Sequence, residues 1–272
     1  NWNDFEVDDN RIESWTRGDT TIVEVGGIKV QVIDGDSTKV AVGNHSLVVD
    51  DDGHVKWKRS KKHKFKGHWA GFDLGVNGYV DKDFNINVPD EYDYLTLKYE
   101  KSIDVHINFF EQNINIANNR FGLVTGLGLR WNNYRFSDNV ILSPDSAKIY
   151  GYYDDTKPWR KSKLVANYLT LPLFFEYQTN RFSNSSSFHI SAGVLFGWRY
   201  ATHTKMLYFD NGRQKPKNHD SFHLNPFRYD AMVRVGWGII NLYATYSMNT
   251  LFKDDRGPEL YPFAIGITFL NF

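Results

Sequence analysis

Residues 121–136 read FGLVTGLGLRWNNYRF, and the stretch alternates strictly. Phe121, Leu123, Thr125, Leu127, Leu129 and Trp131 occupy the odd positions, while Gly122, Val124, Gly126, Gly128, Arg130 and Asn132 occupy the even ones. A period of two is the mark of a strand with two unlike faces. Such a strand fits a soluble sandwich or a membrane barrel, and its length decides between them. Soluble strands run to about 5 or 6 residues. A tilted strand crossing a bilayer needs about 9 to 11 in lipid, with ends that project beyond it.

Seven further segments alternate in the same way, at residues 68–80, 103–116, 164–178, 188–202, 225–237, 240–250 and 261–272. Within 103–116 the parity changes after Phe109, which predicts a bulge near residues 111–113. The connections add an independent constraint. Long stretches (81–102, 137–161, 203–224, 252–260) alternate with short ones (118–119, 180–187, 238). Transmembrane barrels keep long loops outside and short turns in the periplasm. The expectation is an all-β chain: an eight-stranded antiparallel transmembrane β-barrel with both termini periplasmic.

Composition agrees where it bears on this reading. Aromatic residues make up 16% of the chain, yet mean hydropathy is −0.50; a lipid-facing band joined to a polar interior and wet loops gives that combination. No run approaches the ~18 apolar residues of a transmembrane helix. A net charge of zero gives no reason to expect nucleic-acid binding. There is no cysteine, so disulfides and thiolate metal sites are excluded within this sequence, and with Asn1 first no lipid-modified amino-terminal cysteine is expected. With no leader visible, the sequence reads as the mature form of an exported protein.

Two regions are expected, residues 1–65 as a β-rich periplasmic extension and 66–272 as the barrel. Residues 1–20 are acidic and lack periodicity, so they read as a loose arm. A sheet of three to five short strands follows, with Gly26-Gly27 as a hairpin turn. The run KWKRSKKHKFK at 56–66 holds seven Lys or Arg in eleven residues. It reads as a collar for anionic head groups or an acidic partner, or as a solvated linker.

The inward face collects Asp73, Asp104, His106, Arg130, Glu176, Arg199, Arg228, Asp230 and Arg234. Eight strands leave room only for the barrel's own side chains, so acid and base should pair into a plug. A narrow ion path through the same residues is the alternative, whereas a wide nutrient porin needs about 16 to 18 strands. Trp69, Tyr177, Phe188 and Trp237 are assigned to a periplasmic aromatic girdle, and Trp131, Tyr134, Trp198 and Tyr200 to an outer one.

His203, His219 and His223 with Asp210, Asp220 and Ser221 are the only candidates for rim catalysis or a metal. No G-x-S-x-G, metal-ligand spacing or phosphate loop supports them. Neither an enzyme nor a cofactor or metal is expected. Exposed aromatics around Tyr150, Tyr152 and Tyr153 suit contact with a protein or glycan.

NYLTLPLFFEY at 167–177, GLGLRWNNYRF at 126–136, LYATYSMNTLF at 242–252 and the terminal IGITFLNF resemble small outer-membrane β-barrel proteins of the Bacteroidetes type, the outer membrane protein beta-barrel domain family. The resemblance spans residues 66–272 and implies a fold more than an activity. It implies contact with outer-membrane lipids and lipopolysaccharide, and Phe272 resembles the terminal signal read by the barrel-assembly machinery. Phe272 departs from the parity of Ile265, Ile267 and Phe269. An anchor or scaffold within an outer-membrane complex is the expected role, with protein partners meeting the extension, by strand addition at an open edge, and the outer loops.

Overall fold

The computed structural model describes residues 65–143, 147–179, 188–209, 212–237 and 240–269, and for residues 1–64 the strands alone. The chain divides into two compact units, Asn1–His63 and Lys64–Phe272.

The first unit is a seven-stranded antiparallel sheet in which each strand pairs with the next. Its strands are Asn3–Val7, Ile12–Arg17, Thr20–Val25, Ile28–Ile33, Ser37–Val42, His45–Asp50 and Val55–Arg59. Val25 stands opposite Ile28, the register a two-residue connection requires. The expected three to five strands are thus seven, and the expected loose arm supplies the first two. Phe5 faces Ser14 and Val7 faces Ile12. The acidic composition misleads because the ladder is made by backbone N–H and C=O groups, which acidic residues carry like any others.

The second unit is built on eight strands: β1 (Gly71–Val80), β2 (Ile103–Ala117), β3 (Phe121–Arg135), β4 (Trp159–Gln178), β5 (Phe188–Phe209), β6 (Phe227–Trp237), β7 (Ile240–Ser247) and β8 (Tyr261–Phe269). Neighbours pair antiparallel around the order β4-β3-β2-β1-β8-β7-β6-β5, and β5 pairs back onto β4. The ring is closed, so none of the eight strands is left as an edge.

Outward positions are apolar. Leu74, Ile107, Leu173, Phe196, Val233 and Leu242 are all exposed. Inward positions alternate with them and are buried, most regularly along β3. The β2 bulge lies at Phe109 rather than at 111–113: Leu127 faces Phe110, whereas Gly128 faces Asn108. Phe109 and Phe110 are both exposed. Two consecutive aromatics can share the apolar exterior only if an extra residue is inserted between paired positions.

The connections differ sharply between the two ends. β2 and β3 are joined by a tight turn with Asn118 at φ 51° and Asn119 at φ 55°, closed by Arg120 N–H donating to Ala117 O at 2.9 Å. Positive φ at both central residues is the two-residue hairpin geometry, and Asn tolerates it. At the other end, long loops carry 3₁₀ turns at Asp90–Leu95 and Tyr99–Lys101 and a hairpin of Val140–Ser143 with Tyr150–Tyr153. Tyr94, Leu95, Phe136, Leu142, Phe222 and Phe252 from these loops form one buried cluster with Tyr79, Tyr134, Leu164 and Tyr168 of the strands.

Candidate functional site

The lumen holds two linked groups of buried charges. In the first, Asp104 accepts from Arg130 Nε (2.9 Å), Asn132 Nδ2 (2.6 Å) and Tyr243 Oη (3.0 Å), with His106 Nε2 at 2.8 Å. Arg130 also donates to Asp230, which accepts from Arg228 Nε at 2.7 Å. Arg228 in turn donates to Asn132 Oδ1 at 2.9 Å.

The second group lies nearer the short turns. Arg234 donates to Asp73 and, at 2.7 Å, to the carbonyl of His68. Glu176 faces His68 Nδ1 at 2.7 Å, and accepts from His68 N–H (3.2 Å) and Ser191 Oγ (3.0 Å). His106 Nδ1, 3.5 Å from Asp73, bridges the groups. Asp73, Asp104, His106, Arg130, Glu176, Arg228, Asp230 and Arg234 therefore belong to one buried set. Pairing is what makes four carboxylates and three guanidiniums tolerable there.

Arg199 stands apart. Its guanidinium donates to Asn225 O, Leu224 O and Thr202 Oγ1 and pairs with no carboxylate in this set. It lies on the inward parity of β5, and across β4 its neighbour is Tyr168. Alternation gives a residue's face and not its height in the barrel.

The first strand, expected over 68–80, begins only at Gly71, and the chain just before it occupies the lumen. Phe65, His68 and Trp69 are at most 5% exposed, although they precede β1. Glu111 accepts from the backbone N–H groups of Trp69 (2.7 Å) and Ala70 (2.9 Å). Trp69 Nε1 donates to Leu127 O at 3.3 Å, and its ring lies edge-on to Phe174 and beneath the Arg234 guanidinium. The glycines of β3 make room. A Cβ on Gly122 would stand 2.5 Å from the Phe65 ring, and one on Gly126 would stand 2.7 Å from Trp69 Cδ1. Small inward residues in β3 were the sequence signal, because a filled barrel must occupy the space they leave.

Trp69 is thus a lumen residue and not part of a girdle. Tyr134 is also buried at 0% exposure, because its even position on β3 faces inward; its Oη lies 3.4 Å from Arg228. Tyr177, Phe188, Trp198, Tyr200 and Trp237 are exposed on the barrel exterior, and Trp131 lies on the same outward parity of β3.

His203 lies within β5 and not in a loop, and it approaches His219, on the short strand paired to β5, with ring centroids 5.1 Å apart, while Asp220 accepts from the Phe222 N–H. Among the described residues no three His, Asp or Glu side chains come together as metal ligands. Asp210, Phe272 and residues 60–64 of the basic run lie outside the described residues, while residues 56–59 of that run belong to the strand Val55–Arg59. Elsewhere in the loops, hydrogen bonds from Asn85 and from Thr156 hold Asp81 and Asp154 below the usual carboxylate range.

A closed ring of eight antiparallel strands, apolar outside and charged within, defines a transmembrane β-barrel. The chain belongs to the outer membrane protein beta-barrel domain family, whose model matches residues 36–253. It is an outer-membrane β-barrel protein. No curated protein and no solved structure matches it.

Proposed function

We propose that this barrel is a sealed membrane anchor, with its long loops at the cell exterior and both termini, including the extension, in the periplasm. The observation that carries the reading is the filled lumen. Residues 65–69 occupy one end, the Asp104–Arg130–Asp230 set the middle, and the aromatic cluster of Tyr134, Phe222 and Phe252 the other end. An eight-stranded barrel has no spare cross-section for a pore beside such contents. The extension's sheet has open edges at Asn3–Val7 and Val55–Arg59, which supports partner docking by strand addition. Catalysis is not part of this reading.

A narrow ion path is the second reading. It draws on buried lumen atoms without a hydrogen-bond partner, among them Asp73 Oδ1, His106 Nδ1, Asn108 Oδ1 and Arg234 Nε, which a file of water could satisfy. Planar bilayer recording separates the two. The anchor reading expects no current steps from the full chain, and sustained, ion-selective steps would replace it with the pore.

A further inference from the structure

Four cations cross the outside of the barrel at its loop end, side by side. Arg135 of β3 stands opposite Lys163 of β4, Lys163 opposite Lys205 of β5, and Lys205 opposite Lys217 of the short strand Lys217–His219. Like charges directly opposite in a sheet destabilise it. The row borders a groove of about 560 Å³ lined by nine Lys or Arg side chains and one acid, Glu100. None of the nine forms an ion pair among the described residues. In a chain whose net charge is zero, this is a local concentration and not general basicity.

Position narrows the ligand. Arg135 lies four residues beyond Trp131 on β3, roughly 13 Å along the strand, and so above the apolar band. Arg135, Lys163 and Lys205 share the outward parity of β3, and Ile103, Met206 and Leu207 supply apolar lining. Burial, and then the charges of Lys205 and Arg135, push the ammonium pKa of Lys163 down; an anion seated there would relieve both.

We infer that this groove binds the phosphorylated headgroup of an outer-leaflet glycolipid of the lipopolysaccharide type. The inference rests on the reading that the loop end faces outward. A soluble anion would not need a site placed at the lipid boundary with apolar lining.

The test uses the full chain in detergent with three probes: lipid A, dephosphorylated lipid A and inorganic pyrophosphate. Native mass spectrometry should show lipid A bound and its dephosphorylated form not. At roughly fivefold per surface cation, the triple variant R135Q/K163Q/K205Q should bind about a hundredfold more weakly. Arg135 and Lys163 also donate to Ser162 O, Arg160 O and Asn133 Oδ1, so repulsion is read from K205Q alone: without lipid it should unfold at a higher temperature than wild type, whereas a purely structural role for that side chain would lower it. Equal lipid A affinity in wild type and triple variant overturns the inference, as does equal binding of the dephosphorylated form. Pyrophosphate binding as tight as lipid A would reassign the groove to a soluble anion.

Orientation is read separately. Asp83→Cys introduces the sole cysteine of the chain, in the first long loop. Labelling by an impermeant maleimide on intact cells is expected. Labelling without lipid A binding removes this inference alone, whereas lipid A binding without labelling removes the orientation and the outer-leaflet assignment with it.

Discussion

At the turn end of the barrel a single segment, residues 65–70, enters the lumen and is held by backbone N–H groups donating to Glu176 and Glu111 and by Arg234 donating to the His68 carbonyl. At the loop end, residues from all four long loops cover the lumen with an apolar cluster that includes Leu95, Leu142, Phe222 and Phe252. The energetics of the two closures differ in kind. The plug depends on charge-assisted bonds worth about 1.5–3 kcal/mol each, and losing one partner leaves another charge stranded. The lid depends on apolar area at about 25 cal/mol per Å², shared among many side chains. A change at the plug should therefore act on one segment sharply, whereas a change at the lid should spread over several loops.

The largest effect is expected from Arg234→Leu. It strands Asp73 in the lumen and removes the donor to the carbonyls of His68 and Trp69, at a cost of about 3–5 kcal/mol. Urea unfolding in detergent measures the loss, and hydrogen exchange locates it: the amides of His68, Trp69 and Ala70 should lose protection. Unchanged exchange at those three amides would mean that the plug does not hang on Arg234.

Phe252→Ala comes next. Its side chain is 2% exposed in the lid, and truncating a buried Phe costs about 3–5 kcal/mol, with the lower part of that range expected where mobile loops can settle into the space. Exchange should rise through residues 136–143 and 147–158 while the amides of Trp69 and Ala70 stay protected. If those amides open as well, the two closures are one cooperative unit and the contrast between them fails.

Much of this barrel was legible in the sequence because alternation and loop length are local signals. All eight strands fall where the pattern of two placed them, and the turn at Asn118-Asn119 adopts the geometry its residues favour. Tyr134 fails as a girdle residue because its own parity turns it inward, but most of what failed in the barrel had another cause. Parity assigns a face, but it carries no information on height within the barrel or on non-strand chain that folds inside. Trp69 went to a girdle because aromatics near a strand end usually do, and Glu111, the acceptor for two plug amides, was passed over where the bulge broke the pattern. The contents of the lumen depend on contacts between residues more than a hundred positions apart, such as His68 with Glu176, which no window of sequence displays.

Arg199→Leu is the smallest effect expected, and it tests that diagnosis. Both Arg199 and Arg234 sit at inward positions, and by parity alone removing either should strand a carboxylate. In the structure Arg199 serves only Asn225 O, Leu224 O and Thr202 Oγ1, and it is part-exposed near the lid. Water can reach those acceptors once the guanidinium is gone, so the loss should be about 1 kcal/mol or less. Parallel urea titrations of the two variants decide the matter. A loss for Arg199→Leu equal to that for Arg234→Leu would show a carboxylate depending on Arg199, and the loop end would then be closed by charge as well as by apolar area.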